Sequence, residues 1–91
     1  MSIFPSRTLY TVLKKYMVLY GGLVDNPEQL RYALLDHNEI IDFAQSKLDI
    51  LIDADAAKRI SEVGIEWLAY ATLHPQDPQG FAPKAQAKLE P

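Results

Sequence analysis

From residue 30 to residue 51 the apolar positions advance by alternating steps of four and three. Leu30, Leu34, Ile41, Ala44, Leu48 and Leu51 hold that rhythm once His37 is counted as a member, and no glycine or proline interrupts them. Such spacing is a stripe down one side of a long helix, or of two helices nearly in line. A striped helix needs a cover, supplied either by the remaining segments or by a second copy. Asp36, His37 and Asn38 are three poor helix formers in a row, and Asn38 is placed to cap a new helix from Glu39. Against a break, the phase of the stripe runs through this point unchanged.

The flanking segments also carry helical patterns. Leu9, Val12, Leu13, Tyr16, Leu19 and Tyr20 recur at helical spacing from about Thr8 to Tyr20, with Ser6 as N-cap and Gly21-Gly22 as the stop. A strand is the rival reading for Tyr16 to Tyr20, but the polar pair Lys14-Lys15 fits alternation poorly. Asn26-Pro27-Glu28-Gln29 marks a helix start: a capping side chain, proline at the first helical position, an acid in the first turn and glutamine at N3. Beyond Ile52 the stripe would have to take in Asp55 and Lys58, so the chain turns near Asp53-Ala54-Asp55, and either aspartate suits a cap. A long helix then runs from about Ala56 to Leu73, presents Ile60, Val63, Trp67, Tyr70 and Ala71, and stops at His74-Pro75. Past that point Pro75, Pro78, Gly80, Pro83 and Pro91 predict an extended arm, with at most a short helix over 83–89.

The expected architecture is therefore all-α, with three to four helices in a small bundle completed by homodimerisation. Residues 1–74 form the helical domain and residues 75–91 a Pro/Gln/Ala-rich C-terminal arm. Ninety-one residues allow one domain at most, and 48% apolar with 23% charged residues suits a folded chain. The absence of cysteine excludes disulfides, thiolate metal sites and thiol nucleophiles, and it favours a cytoplasmic setting. Residues 1–7 show no basic segment followed by an apolar core, so no signal peptide is expected. The apolar runs fall far short of the roughly 20 residues a spanning helix needs, so no membrane partner is expected.

The net charge of −3 is unevenly spread. Arg7, Lys14 and Lys15 give residues 1–24 a charge of +3, whereas residues 25–66 hold ten acids against four bases, for −6. On one continuous helix Glu39, Asp42, Asp49 and Asp53 would share a sector nearly opposite the seam. Pointing away from the core, such carboxylates suit a solvated face or a surface that steers a basic partner, not a buried acid-base pair.

Motifs that carry chemistry are few. His37 lies beside Asp36 and near Glu39, but the other histidine, His74, is in another segment, and no His-x3-His or Glu-x2-His spacing exists. The face Arg7, Tyr10, Thr11, Lys14, Lys15 interleaves aromatic and cationic residues, a small footprint for nucleic acid. Gly64-Ile65 resembles the turn of a helix-turn-helix, but residues 66–73 contain none of the Arg, Lys, Asn or Gln that reach base edges, so Gly64 reads better as a close-packing point. Glycine-rich nucleotide loops and nucleophile elbows are absent.

These features favour a non-enzymatic protein-interaction module, such as a regulator, adaptor, inhibitor or accessory subunit, with no cofactor, metal or catalytic set. Its expected partner surface is Glu39, Asp42, Asp49 and Asp53 together with Phe81 as an apolar anchor. The alternatives are a nucleic-acid-binding regulator acting as a dimer and a small enzyme built around His37.

Overall fold

Asp36 breaks the central seam. In the computed structural model, which describes residues 6–89, the chain forms α1 (Ser6–Gly21), α2 (Pro27–Leu35), α3 (His37–Leu48), α4 (Ala54–Leu73) and α5 (Ala82–Leu89). Asp36 takes an extended conformation between α2 and α3, and its carboxylate accepts the Glu39 backbone N–H at 3.1 Å. The cap of α3 is thus Asp36 rather than Asn38, and the helix begins at His37. One non-helical residue is enough to re-aim the chain. Beyond it α3 buries Ile40, Phe43 and Ala44, while His37 is exposed and Leu51 is 72% exposed. Of the expected stripe, Leu30, Leu34 and Ala44 are fully covered by the chain itself.

Local chemistry accounts for the other boundaries. α1 spans the expected helix and ends at Gly21, with Gly22 at φ +56° just beyond it. Pro27 opens α2 as expected, but the Asn26 side chain makes no capping bond. Asp49 closes α3 in the left-handed region, at φ +57°. Asp53 caps α4, accepting the Ala56 N–H at 2.8 Å. The residues before Ser6 lie outside the described range, as does the Ser6 side chain expected to cap α1, and with them most of the stretch in which a signal peptide would begin.

α1 and α4 are the two hubs, each packing on all the other helices. α4 can do so because it is the longest helix and buries nine of its 20 residues, with Ile60, Val63, Trp67, Leu68 and Ala71 among them. Gly64 lies inside this one continuous helix, so no helix-turn-helix forms there. A methyl at Gly64 would sit 2.6 Å from Leu34 Cδ2 and 3.0 Å from Leu13 Cδ1, so the missing side chain lets α1 and α2 close on α4.

The stretch after Pro75 is not an extended arm. Trp67 Nε1 donates to the Pro78 carbonyl at 2.7 Å, which straps the turns over 75–81 to α4. Phe81 packs between Trp67 and Tyr70, with ring centroids 6.3 and 5.8 Å away. α5 then returns along α1 and α4 and buries Ala85 and Leu89. The boundary at 74/75 is therefore a helix end and not the edge of the core: Phe81, Ala85 and Leu89 belong to the same cluster as Leu9, Tyr16 and Trp67. No helix of the described residues is long and apolar enough to cross a membrane.

Candidate functional site

α1 has two apolar stripes. One comprises Leu9, Val12, Leu13, Tyr16 and Met17 and faces the core. The other side carries Thr11, Lys14, Lys15, Val18 and Leu19, spaced i, i+3, i+4, i+7 and i+8, with Val18 54% and Leu19 56% exposed. The ring of Tyr16 meets Phe43 at 5.2 Å and Tyr20 bonds to Glu39, so α1 and α3 run antiparallel. Phe43, Lys47 and Leu48 of α3 lie beside the outer stripe of α1, and together they line a groove of about 630 Å³. Its walls are mostly apolar. Its charges are Lys14, Lys15 and Lys47, with no acid among the lining residues.

Antiparallel pairing gives this groove a direction. Val18 and Leu19 lie toward the Glu39 end, and the three lysines lie toward the Leu48 end. The Glu39 end is closed by a polar clasp in which the Tyr20 hydroxyl donates to Glu39 Oε2. That bond, with burial as the lesser cause, pushes the Tyr20 hydroxyl from 10.0 up to about 12. Burial foremost also raises the neighbouring Tyr16 hydroxyl. The sign of the linkage follows. Folded protein keeps the Tyr20 proton between pH 10.0 and about 12, where the unfolded chain loses it. The contribution is intact below pH 10.0 and is lost as pH rises through about 12. Denaturation midpoints are expected to fall across that window, and Tyr20→Phe is expected to flatten the fall. An unchanged slope in the variant would show that the clasp carries none of it.

The residues expected to bind a partner are dispersed. Glu39 is engaged by Tyr20, and Asp42 is exposed on α3. α3 ends at Leu48, so Asp49 and Asp53 leave the helical wheel that aligned them: Asp49 is a C-cap and Asp53 an N-cap. No single helix face carries the four acids. Phe81 is 8% exposed, its ring turned into its own core. Tyr10, expected on a nucleic-acid face with Lys14 and Lys15, stacks on Trp67 at 6.3 Å and 8°. His37 is exposed and does not line the α1–α3 groove, and His74 stacks on Tyr70 at 4.1 Å. Among the described residues no three His, Cys, Asp or Glu side chains are grouped to hold a metal ion.

A second apolar face lies between α2 and α4. Arg31, Leu35, Ile65, Leu68 and Ala69 line one trough. Pro27, Glu28, Tyr32 and Thr72 continue the surface past Arg31. Leu35 is 59% exposed and Ile65 39% exposed. Its charges are mixed, with Glu28 one turn from Arg31. The comparisons with known proteins add no identity: no family model, curated protein or solved structure matches the chain.

Sequence reasoning passed over the lysine-rimmed groove because half of it comes from α3, a pairing that spacing along one helix does not reveal. The available signal was the second stripe on α1, in which Val18-Leu19 follows Lys14-Lys15 by one turn.

Proposed function

We propose that this protein is a non-enzymatic interaction module, a small all-α subunit that binds a protein partner and pairs with a second copy of itself. One observation carries the reading: the chain closes its own core yet leaves apolar side chains outside on two separate faces, Val18 and Leu19 on one and Tyr32, Leu35 and Ile65 on the other. Contiguous exposed apolar surface rimmed by charge is characteristic of docking sites. A nucleic-acid reading has less support, because Tyr10 is turned to Trp67 and the groove floor is largely aliphatic. An enzyme built on His37 has less support, because that side chain is exposed and lines neither groove.

The α2–α4 face suits the second copy. In a two-fold pair the same patch meets itself. Glu28 and Arg31 carry opposite signs, so that contact concentrates no like charge, whereas the α1–α3 groove paired with itself would bring two sets of three lysines together. Leu35 and Ile65 would each contribute up to about 1.5–3 kcal/mol on full burial. Light scattering at concentrations on the order of 100 µM is expected to give twice the chain mass of 10.3 kDa. The double variant Leu35→Glu, Ile65→Glu is expected to run as a monomer with an unchanged circular dichroism spectrum, and Val18→Glu as a dimer. A wild-type chain of 10.3 kDa under those conditions would remove the pairing.

A further inference from the structure

We propose that the α1–α3 groove receives an acidic amphipathic helix of another protein, its apolar anchors seated against Val18, Leu19 and Phe43 and its carboxylates against Lys14, Lys15 and Lys47. This rests on the reading of the chain as an interaction module and names the chemistry of its partner. The sign of the partner's charge is opposite to the one the sequence suggests, because the acids expected to recruit a basic partner are dispersed and the cations are gathered.

Shape and charge both select this occupant. From Thr11 to Leu19 the groove follows α1 for nine residues, a rise of about 12 Å at 1.5 Å per residue. That length matches roughly two turns of a third helix laid alongside, the common mode in which an apolar helix face fills a groove between two others. The floor divides by type: Val18, Leu19 and Phe43 make the apolar half, while Lys14, Lys15 and Lys47 gather toward Leu48. A matching helix carries apolar residues at i, i+3 or i+4, and i+7, then acids within the next turn. At the opposite end Glu39 repels an acid, so one orientation of the partner helix is preferred. The acidic balance of the rest of the chain weighs against the rival anionic surfaces. Residues 25–66 hold ten acids against four bases, and a bilayer or a nucleic acid wide enough to overhang the groove would meet that field. A single helix confined to the groove meets the lysines.

Two labelled peptides of about 18 residues test the inference by fluorescence anisotropy against the full chain. One carries leucines at i, i+4 and i+7 followed by three glutamates, and the other replaces the glutamates by lysines. The acidic peptide is expected to bind at micromolar concentrations, at least about tenfold tighter than the basic one, with affinity falling as salt rises. The double variant Lys14→Glu, Lys47→Glu is expected to reverse the preference between the two peptides. This readout requires a folded groove, so it separates lost charge from lost structure. Val18→Asp is expected to weaken both peptides. Equal binding of the two peptides by wild-type protein, or none by either, overturns the inference. So does lysine-dependent sedimentation with phosphatidylserine vesicles without peptide binding, an outcome that would assign the groove to a lipid surface. Peptide failure with the α2–α4 dimer intact removes this inference alone. Peptide failure with a monodisperse monomer removes the interaction-module reading as well.

Discussion

Replacing Trp67 by alanine is expected to cost about 3–5 kcal/mol of folding free energy and to release the chain after Pro75 from the bundle. The ring is fully buried. It stacks on Tyr10 from α1 and meets Phe81 at 6.3 Å, so it joins the first helix to the last segment through α4. Its N–H also donates to the Pro78 carbonyl at 2.7 Å, the strap that turns the chain back toward α5. A small domain has on the order of 5–15 kcal/mol in total, so the alanine variant sits near the edge of folding. Trp67→Phe separates the two contributions. It keeps most of the apolar volume and drops the N–H, for an expected loss of about 1–2 kcal/mol. Urea denaturation gives the totals, and limited proteolysis between 75 and 81 reads the strap. Should Trp67→Phe match wild type in both, the segment is held by Phe81 and α5 without help from the indole.

Local signals were legible where they were local in cause. Pro27 opens α2 and His74-Pro75 closes α4, as the sequence predicts, because proline geometry acts on its immediate neighbours, whereas the Asn26 side chain does not cap. Gly64 was legible as a close-packing point because the apolar pattern of α4 continues on both sides of it. The seam was misleading for a physical reason. Its four-three rhythm persists across Asp36 by coincidence of spacing, while the extended residue there rotates everything that follows. On α3 the fully buried residues are Ile40, Phe43 and Ala44, so Ala44 keeps its place in the stripe while Ile41 and Leu48 fall to its half-buried margin against the core. The acids were ambiguous because an aspartate reads the same whether it caps a helix or faces water. Asp36 and Asp53 turn out to cap, and that choice is settled by where the helices end. Prolines drew attention away from the tail, yet Phe81, Ala85 and Leu89 step by four, a stripe that was present to be read. Neither groove was legible, since each is made by two helices whose pairing depends on the whole fold.

The double variant Tyr16→Phe, Ser61→Ala is expected to lose about 2–4 kcal/mol while removing only two oxygen atoms. α2 stops inside the protein, and the last carbonyls of a helix have no partner within it. Two side-chain hydroxyls supply what is missing: Tyr16 from α1 donates to the Ala33 carbonyl at 2.6 Å, and Ser61 from α4 donates to the Leu34 carbonyl at 2.6 Å. Ala33 also accepts the Asp36 N–H at 3.3 Å, so Tyr16→Phe alone is the milder change. Ser61→Ala leaves a buried carbonyl with no replacement donor and costs more. Both bonds hold the same turn, so the two losses are expected not to add, with a coupling of roughly 0.5 kcal/mol or more in a double-mutant cycle. Hydrogen exchange localises the effect, because the Glu39 and Ile40 amides bond to Asp36 and report on the junction directly. The consequence reaches the groove: the junction at Asp36 sets the rotation of α3, and that rotation presents Phe43 and Lys47 to α1. The double variant should therefore bind the acidic peptide more weakly even under conditions where it remains folded. Stability within about 0.5 kcal/mol of wild type, with unchanged exchange at Glu39 and Ile40, would mean that the turn is fixed by packing against α4 and the hydroxyls are incidental to it.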